Sequence, residues 1–394
     1  MKLEKNFYNK INKLINHINI KNQIKPINLH EPLIDNTDKI SLAECLNSGF
    51  VSTYGNLSNK FCQKIKNITG SKYVIPIING TSSIHLALHE SGVTNNDEVL
   101  MPSLNFIASA NATLYLGASP HFVEVEIDTL GVDPIKLDKY LREILFKKGK
   151  FFYNKKTKKR VKTLIAVHVF GHPCKVDMIK KVCDKYNINL IEDASECLGS
   201  FYKNKHVGNF GKYGILSFNG NKIITSGCGG AILTNNKNVF KRINHISTTS
   251  KKTHKWEYDY NELGFNYRLP NLNCALGLSQ IKKIQFYLRK KRNLFKLYNN
   301  LLRKFNINEF ELIKEPRNCK SNYWLHTIKL KSPSDISKNK ILKLFNDKKI
   351  LIRPLWKLNH KISYLKKYPK MDLKISNLLE KSIINLPSSV NLKL

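Results

Sequence analysis

Continuous apolar runs recur along the chain, separated by stretches in which apolar residues fall three or four positions apart. Short apolar runs are typical of strands buried on both faces of a parallel sheet, whereas the wider spacing predicts amphipathic helices. We therefore predict strands at 73–78, 98–101, 121–126, 163–169, 189–192, 214–218 and 231–234. We predict helices at 37–47, 61–68, 84–91, 107–115, 134–145 and 176–186.

Strands and helices alternate from residue 73 to residue 234, which favours an α/β fold with a mainly parallel, seven-stranded sheet between helices. After residue 234 this alternation stops, and a long helix is predicted over 273–303. A strand at 324–330, a helix at 339–347 and the apolar segment 351–356 then suggest a smaller α/β unit. We expect an N-terminal helical arm over 1–28, a large domain over 29–255, and a small C-terminal domain over 256–394 that includes the long connecting helix.

The expected arm contains apolar residues at helical spacing with lysines between them, which predicts a peripheral or loosely held helix. No apolar run approaches the ~18 residues that suggest a membrane span. The N-terminus lacks an apolar segment followed by a small-residue cleavage site, so we expect no signal peptide. The eight cysteines form no CxxC pair. Reduced thiols in a cytoplasmic protein explain them better than a disulfide framework does.

The chain is strongly basic, with 66 lysines and arginines, 29 aspartates and glutamates, and a formal net charge of +37. Such a charge could serve nucleic-acid binding. However, lysine is spread over the whole chain together with asparagine and isoleucine, and AT-rich codons are a sufficient cause. There is no helix-turn-helix, RRM, zinc-finger or P-loop pattern. We therefore expect no nucleic-acid partner, and we interpret the basic stretch 147–162 as a hairpin with a solvated tip.

A glycine and two hydroxyl residues, Gly80-Thr81-Ser82, lie between the strand at 73–78 and a helix. This arrangement builds an anion site, because the first N–H groups of a helix lack partners and the helix dipole favours a phosphate. An ordinary N-cap by serine or threonine explains the same residues equally well. His85 and His89 have a spacing that suits a metal, but without a third ligand we expect them to serve packing.

Further chemistry follows other predicted strands. Lys222 lies between a polar turn and an apolar pair, where desolvation disfavours the ammonium form and favours a nucleophilic amine. Asp193 follows a strand end, where α/β proteins place ligands, and Glu196 lies three residues later. Taken alone, the stretch around Lys222 favours a surface turn, and Phe106 alone favours a core residue. Together the strand-end residues supply an amine, a carboxylate, an aromatic plate and a phosphate cradle, which are the four groups that pyridoxal phosphate needs.

These residues occur in motifs that resemble the sugar-nucleotide aminotransferases of the DegT/DnrJ/EryC1/StrS family, which have the fold type I of aspartate aminotransferase. The resemblance runs from about residue 29 to residue 389. The motifs that carry it are LHEP (29–32), SGFVSTYG (48–55), NGTSSIHLAL (79–88), MPSLNFIASANA (101–112), HVFGHP (168–173), EDASECLGS (192–200), SFNGNKIITSGCGGAILT (217–234), GFNYRLPNLNCALG (264–277) and RPLW (353–356).

The resemblance implies a role for each site residue. Lys222 would form the Schiff base with the cofactor and move the proton, and Asp193 would pair with the pyridine nitrogen. Glu196 would lie near the cofactor hydroxyl, where much of the family has glutamine. Phe106 would stack on the ring, while Thr81, Ser82 and Ser217 would hold the phosphate. The remaining assignments are Asn266 for the cofactor and Asn219, Arg268, Arg353 and Trp356 for the substrate.

In such enzymes the GFNYR segment reaches into the neighbouring subunit, which implies a homodimer with shared active sites. Within the family, SFNGNKIIT, the basic hairpin and RPLW most resemble the branch that serves bacillosamine and legionaminic acid synthesis. The implied reaction transfers the amino group of L-glutamate to C4 of a nucleotide-linked 4-keto-6-deoxy-2-acetamido sugar, with UDP favoured. The chain departs from the family at Ser83 and Ile84, at Cys228 and at Asn105.

Two alternatives stay open at this stage. One is an aminotransferase of another regiochemistry or sugar, such as the perosamine type. The other is a basic nucleic-acid-binding protein in which the cofactor site is a relic. A third class, the dehydratases of this fold, has histidine in place of the lysine, and Lys222 argues against it.

Overall fold

The computed structural model describes residues 2–22, 26–333 and 335–394, with side chains except at 2–6 and 335–337. Residues 1 and 23–25 of the expected N-terminal arm lie outside this part. Within it, the strands are β1 Tyr73–Ile77, β2 Asp97–Pro102, β3 Ser119–Val123, β4 Leu145–Lys148, β5 Phe151–Asn154, β6 Arg160–Val167, β7 Asn189–Asp193, β8 Phe201–Tyr202, β9 Lys205–His206, β10 Tyr213–Ser217, β11 Gly230–Thr234, β12 Phe310–Leu312, β13 Cys319–Lys320, β14 His326–Leu330, β15 Arg353–Pro354 and β16 Ile383–Leu386.

The α-helices of the same residues surround these strands. They are α1 Lys2–Lys21, α2 Asn36–Asn47, α3 Leu57–Thr69, α4 Gly80–Glu90, α5 Ala108–Tyr115, α6 Pro134–Ile144, α7 Val176–Lys185, α8 Lys237–Ile246, α9 Asn271–Lys282, α10 Ile284–Lys304, α11 Asp335–Asp347 and α12 Lys374–Ser382.

The large sheet has the strand order β1-β11-β10-β7-β6-β2-β3. Pairs β10/β7, β7/β6, β6/β2 and β2/β3 are parallel, and in this seven-strand order β11 runs against its neighbours β1 and β10. This confirms the predicted mainly parallel sheet, and each of the seven predicted strands is present. The carboxyl ends of β1, β2, β7 and β10 meet at one edge, which brings the polar residues that follow them close together. The predicted basic hairpin 147–162 comprises the end of β4, β5, the turn 155–159 and the start of β6, and β5 pairs antiparallel with both β4 and β6.

A second core lies around a smaller sheet of order β12-β14-β16-β15. The apolar face of α1 is part of this core: Ile11, Leu14, Ile15 and Ile18 are fully buried among residues of α10, α11 and β14. The helical spacing of the N-terminal segment therefore reflects a packed face, not a loosely held arm. Residues of α9, which lies in the expected small domain, belong to the first core, and the domain boundary at residues 255 and 256 stays a prediction.

The helix predicted over 273–303 is broken at Lys283 into α9 and α10. Lys283 binds Asp35 at 2.9 Å and Asp38 at 2.8 Å, so the break is tied to the start of α2. Helix α9 packs on α2 and α3, and a side chain at Gly277 would approach the ring of Phe61 to 2.7 Å. Apolar residues flank the break on both sides, at Ile281 and Ile284, and no glycine or proline lies between them, which is why the sequence pattern did not show it.

Candidate active site

A cavity of about 270 Å³ opens at the edge where the strand ends meet. Eight of the residues predicted for the site line it, although they come from separate segments between residues 81 and 356. They are Thr81, Phe106, Asp193, Glu196, Ser217, Asn219, Lys222 and Trp356. The cavity therefore joins the amine, the carboxylates, the aromatic residues and the hydroxyl residues that the sequence pattern indicated separately.

Lys222 lies inside the cavity with only 14% of its side chain exposed. Its Nζ is 3.3 Å from Oε1 of Glu196 and 4.1 Å from the centroid of the Trp324 ring. The backbone N–H of Lys222 donates to the carbonyl of Asn219 at 3.0 Å, which closes the polar turn ahead of it. The surface-turn interpretation of this stretch is therefore wrong: the lysine is enclosed and has defined partners.

Glu196 is buried, and its two carboxyl oxygens contact different groups. Oε1 faces Lys222, and Oε2 accepts a hydrogen bond from the backbone N–H of Phe170 at 2.8 Å. Burial raises the pKa of Glu196 to about 7, although Lys222 and the Phe170 N–H act in the opposite direction. Phe170 presents that N–H from a left-handed backbone conformation with φ of 57°. Glu196 can thus take up or release a proton near neutral pH.

The pleat of β7 separates two neighbouring carboxylates. Asp193 lines the cavity, where its Oδ1 accepts a hydrogen bond from the N–H of Ser195 at 3.1 Å. Glu192 is fully buried and accepts hydrogen bonds from the N–H groups of Gly208, Phe210 and Gly211. Successive strand residues point to opposite faces, so only Asp193 is available to a ligand.

Helix α4 begins at the cavity and is capped by Asn79, whose side chain accepts from the N–H of Ser82 at 2.7 Å. The cap is therefore asparagine and not one of the hydroxyl residues. The N–H groups of Gly80 and Thr81 are among those that a helix start leaves without partners inside the helix. A side chain at Gly80 would meet Ser195 and Ser217 at 3.3 Å. Glycine allows this close approach and leaves a cradle suited to a phosphate.

Four predicted site residues do not line the cavity of this chain. Ser82 is bound to Asn79, and the Arg268 guanidinium donates to Oδ1 of Asn244 at 2.6 Å. Arg353 is exposed and donates to Oδ1 of Asn346 at 3.0 Å. Asn266 is also exposed, on the segment that pairs with Thr248. The structure therefore separates these residues from the eight that meet in the cavity.

Two of the cavity residues that were not predicted bear directly on its chemistry. Asn105 is 2% exposed and its Nδ2 has no hydrogen-bond partner among the described residues. It lies three residues after the end of β2 and directly precedes Phe106, so its position near a strand end could have indicated it. Trp324 approaches Lys222 from the segment between β13 and β14, about a hundred positions later. Nothing in the local pattern around Trp324 indicates this contact.

The residues of the cavity fit pyridoxal phosphate. They offer an enclosed amine at Lys222, a carboxylate at Asp193, an aromatic ring at Phe106 and a helix start beside Ser217. Asn105 adds a buried amide donor that lacks a protein partner, as expected for a group that meets a ligand. His85 and His89 instead pack against the ring of Phe265, and no metal-binding cluster is found in the described part of the chain.

The fold and the site together define the class of pyridoxal phosphate-dependent aminotransferases. More specifically, the model of the DegT/DnrJ/EryC1/StrS aminotransferase family matches residues 32–394, and the chain belongs to this family. This confirms the resemblance inferred from the motifs. Among helices of the described residues, none is long and apolar enough to cross a membrane.

Relatives of the chain act on sugar nucleotides, according to their names. It is 32% identical over 367 residues to GDP-perosamine synthase of Escherichia coli O157:H7, covering 93% of this chain and 94% of that protein. It is 32% identical over 299 residues to UDP-4-amino-4,6-dideoxy-N-acetyl-beta-L-altrosamine transaminase of Campylobacter jejuni, covering 76% and 71%. Among solved structures, Helicobacter pylori PseC, an aminotransferase of pseudoaminic acid biosynthesis, has a TM-score of 0.83 and 26% identity, covering 93% and 95%.

Proposed function

We propose that this protein transfers the amino group of L-glutamate to C4 of a nucleotide-linked 4-keto-6-deoxy-2-acetamido sugar, using pyridoxal phosphate. The observation that carries the proposal is the enclosed amine of Lys222, 3.3 Å from Glu196 in the cavity that Asp193 lines. When bound, pyridoxal phosphate supplies a carbonyl carbon for amino transfer and a ring that withdraws electrons from the reacting carbon.

Within the proposal, Lys222 holds the cofactor and moves protons. Its Nζ takes the proton from the α-carbon of glutamate and later delivers one to C4 of the sugar. Asp193 accepts a hydrogen bond from the protonated ring nitrogen and so favours the charged ring. Thr81 and Ser217 hold the phosphate beside the start of α4. Ser82 lies in the same helical turn as Thr81. Its side chain is a weaker candidate for holding the phosphate, because it lies outside the cavity.

Glu196 fits a role beside Lys222. With a pKa of about 7, its carboxyl can carry either charge state at neutral pH, and it contacts the amine through Oε1. A neutral carboxylic acid offers a hydrogen-bond donor to the cofactor hydroxyl, as a glutamine amide would. A carboxylate instead stabilises Lys222 as an ammonium. Glu196 is thus suited to match the proton changes of Lys222.

The substrate side of the cavity is formed by Asn219, Asn221 and Trp356. Aromatic faces and amide groups are suited to a sugar, which presents both apolar C–H faces and hydroxyls. We assign UDP because the motifs resemble the bacillosamine and legionaminic acid branch and because the Campylobacter relative is named for a UDP-linked N-acetyl sugar. The second candidate is a GDP-linked substrate of the perosamine type, which the match to GDP-perosamine synthase favours.

We further propose a cytoplasmic homodimer with shared active sites. Large side chains are exposed in two loops, with Tyr54 at 80%, Trp256 at 72% and Tyr258 at 74%. Asn266 and Arg268 follow the loop of Trp256 and Tyr258 in sequence and do not line their own chain's cavity. Both observations fit a second copy that covers the loops and receives those residues. The eight cysteines, all within described segments, are free, which favours a reducing compartment.

The substrate assignment can be tested with ¹⁵N-glutamate and a panel of UDP-, GDP- and dTDP-linked 4-keto sugars. We expect ¹⁵N to appear at C4 of a UDP-linked 2-acetamido sugar, detected by NMR and mass spectrometry, with 2-oxoglutarate as co-product. A preference for the GDP-linked 4-keto sugar would favour the perosamine type instead. Absence of transfer to every sugar would contradict the proposal. RNA binding in place of transfer would support the relic-site alternative, which family membership leaves without support.

A further inference from the structure

Trp324 reaches the reactive lysine from outside the large sheet. It lies between β13 and β14, is 4% exposed, and lines the cavity. The centroid of its ring is 4.1 Å from Nζ of Lys222. Its indole N–H donates to the backbone carbonyl of Asn221 at 2.6 Å. The side chain of Trp324 therefore contacts both the amine of Lys222 and the backbone of Asn221, the preceding residue.

The backbone on either side of Trp324 is fixed to the same site. The side chain of Asn322 donates to the carbonyls of Glu196 and Leu198 at 2.8 and 3.0 Å, and its Oδ1 accepts from the N–H of Trp324 at 2.9 Å. The carbonyl of Trp324 accepts from the buried Nζ of Lys291 at 2.9 Å. Trp324 is thus held against the segment that carries Glu196 and cannot swing freely.

Two side chains contact Nζ of Lys222. Glu196 offers a carboxyl oxygen at 3.3 Å, and the indole face of Trp324 offers its negative quadrupole at 4.1 Å. An aromatic face attracts an ammonium group and also restricts where it can lie. Other ionisable groups near this pair include Asp193, which lies beside Glu196, and His30. The pKa of His30 is lowered by burial and then by the charges of Lys291 and Lys222.

We propose that Trp324 is a positioning residue that orients Lys222 toward the cofactor through its ring face and its bond to the Asn221 carbonyl. This inference rests on the proposed function, because Lys222 must leave the cofactor and return to it in each cycle of amino transfer. While Lys222 is detached, the ring keeps its Nζ near the position from which it attacks. Such pre-orientation lowers the barrier to reattachment without changing how the sugar nucleotide binds.

The test measures how fast pyridoxal phosphate becomes covalently fixed to Lys222 in apoprotein at saturating cofactor. Samples are quenched with borohydride at set times, and the Lys222 peptide is quantified by mass spectrometry. Trp324→Leu removes the ring and the N–H, whereas Trp324→Phe keeps an aromatic face. The matched control is Tyr323→Leu, which removes a neighbouring buried ring whose contacts are with His172, Phe295 and His326.

We expect attachment to slow about tenfold in Trp324→Leu and about two- to threefold in Trp324→Phe. Tyr323→Leu should stay within about twofold of wild type, and the KM for the sugar nucleotide should change little in both Trp324 variants. An attachment rate in folded Trp324→Leu equal to wild type would overturn the inference. An equal loss in Tyr323→Leu, or a raised KM with normal attachment, would also overturn it. A wrong substrate assignment leaves the attachment rate measurable, so the two failures are distinguishable.

Discussion

At the scale of single residues, the chemistry of Lys222 is set by neighbours that are remote in sequence. Glu196 and Trp324 contact its Nζ, while Asp193 and Ser217 line the same cavity. Glu196 is the neighbour most sensitive to pH, since burial raises its pKa from 4.5 to about 7. When the pKa of a carboxyl is higher in the folded state than in the unfolded state, the folded protein loses stability as the pH rises above the unfolded-state pKa.

This shift predicts a pH-dependent effect of Glu196→Gln. Between pH 4.5 and about 7 the folded state keeps a proton that the unfolded state has lost, so wild-type stability falls across this window. Glutamine has no such proton. As the pH rises from 4.5 to 8, the free energy of unfolding of the variant should therefore increase by about 3 kcal/mol relative to that of wild type.

The measurement is urea unfolding of the apoproteins at pH 5 and pH 8. Glu44→Gln on the exposed surface of α2 is the control, and it should show no comparable change. A stability difference between Glu196→Gln and wild type that is the same at both pH values would count against the buried, proton-binding carboxyl.

Asn105 offers a second prediction at this scale. Its buried Nδ2 has no partner among the described residues, and such a donor costs stability until a ligand satisfies it. Asn105→Leu, which has a similar shape, should raise the free energy of unfolding of the apoprotein by about 1 kcal/mol. It should also lower kcat/KM about tenfold, because the ligand loses a hydrogen bond. Thermal unfolding and steady-state kinetics check both; unchanged values for both would remove Asn105 from the site.

At the scale of elements, the basic hairpin 147–162 depends on one buried carboxylate. Glu98 in β2 accepts hydrogen bonds from His121 at 2.7 Å and from the side chain of Asn154 at 3.1 Å, and it also binds the hydroxyl of Thr157. Burial raises the pKa of Glu98, but the bonds from His121, Thr157 and Asn154 outweigh it and lower the pKa overall. The hairpin is therefore anchored by polar contacts beneath its charged tip.

Removing this anchor should loosen the hairpin. Glu98→Ala is expected to lower the free energy of unfolding by about 3 kcal/mol, because three partners, two of them buried, lose their acceptor. Trypsin should then cleave faster at the lysines of 155–159. Thr157→Val loses one bond and should cost about 1 kcal/mol. If the cleavage rate in Glu98→Ala matches that of wild type, the network does not hold the hairpin.

The sequence pattern was most informative about elements. Apolar runs are visible wherever a strand is buried on both faces, so all seven strands of the parallel sheet could be predicted. The break at Lys283 could not be predicted, because no glycine or proline lies beside it and the break depends on Asp35 and Asp38 far away in the sequence. Trp324 was missed for the same reason: its contact with Lys222 exists only once two distant segments are folded together.

At the scale of the whole molecule, the proposed dimer makes a prediction about mixtures. Suppose that Arg268 of one copy serves the site that contains Lys222 of the other. In a mixed dimer, Lys222→Ala and Arg268→Ala then inactivate the same one of the two sites. Mixed dimers then contain one intact site. Each variant alone should have little activity, and an equal mixture after subunit exchange should recover up to about a quarter of wild-type activity.

Sedimentation analysis should confirm that the two variants form dimers and exchange subunits. Asn266→Ala paired with Lys222→Ala provides a second test of the same arrangement. A mixture that exchanges subunits yet stays inactive would show that each site is built from one chain, and a monomeric wild type would show the same.

The central claim is that Lys222 is the amine that binds pyridoxal phosphate. It is tested most directly by loading the protein with the cofactor, reducing it with borohydride and locating the modification by peptide mass spectrometry. We predict one stoichiometric modification at Lys222 in the wild type, with none at that site in Lys222→Ala. Modification spread over surface lysines, or a single modification at another lysine, would contradict the claim.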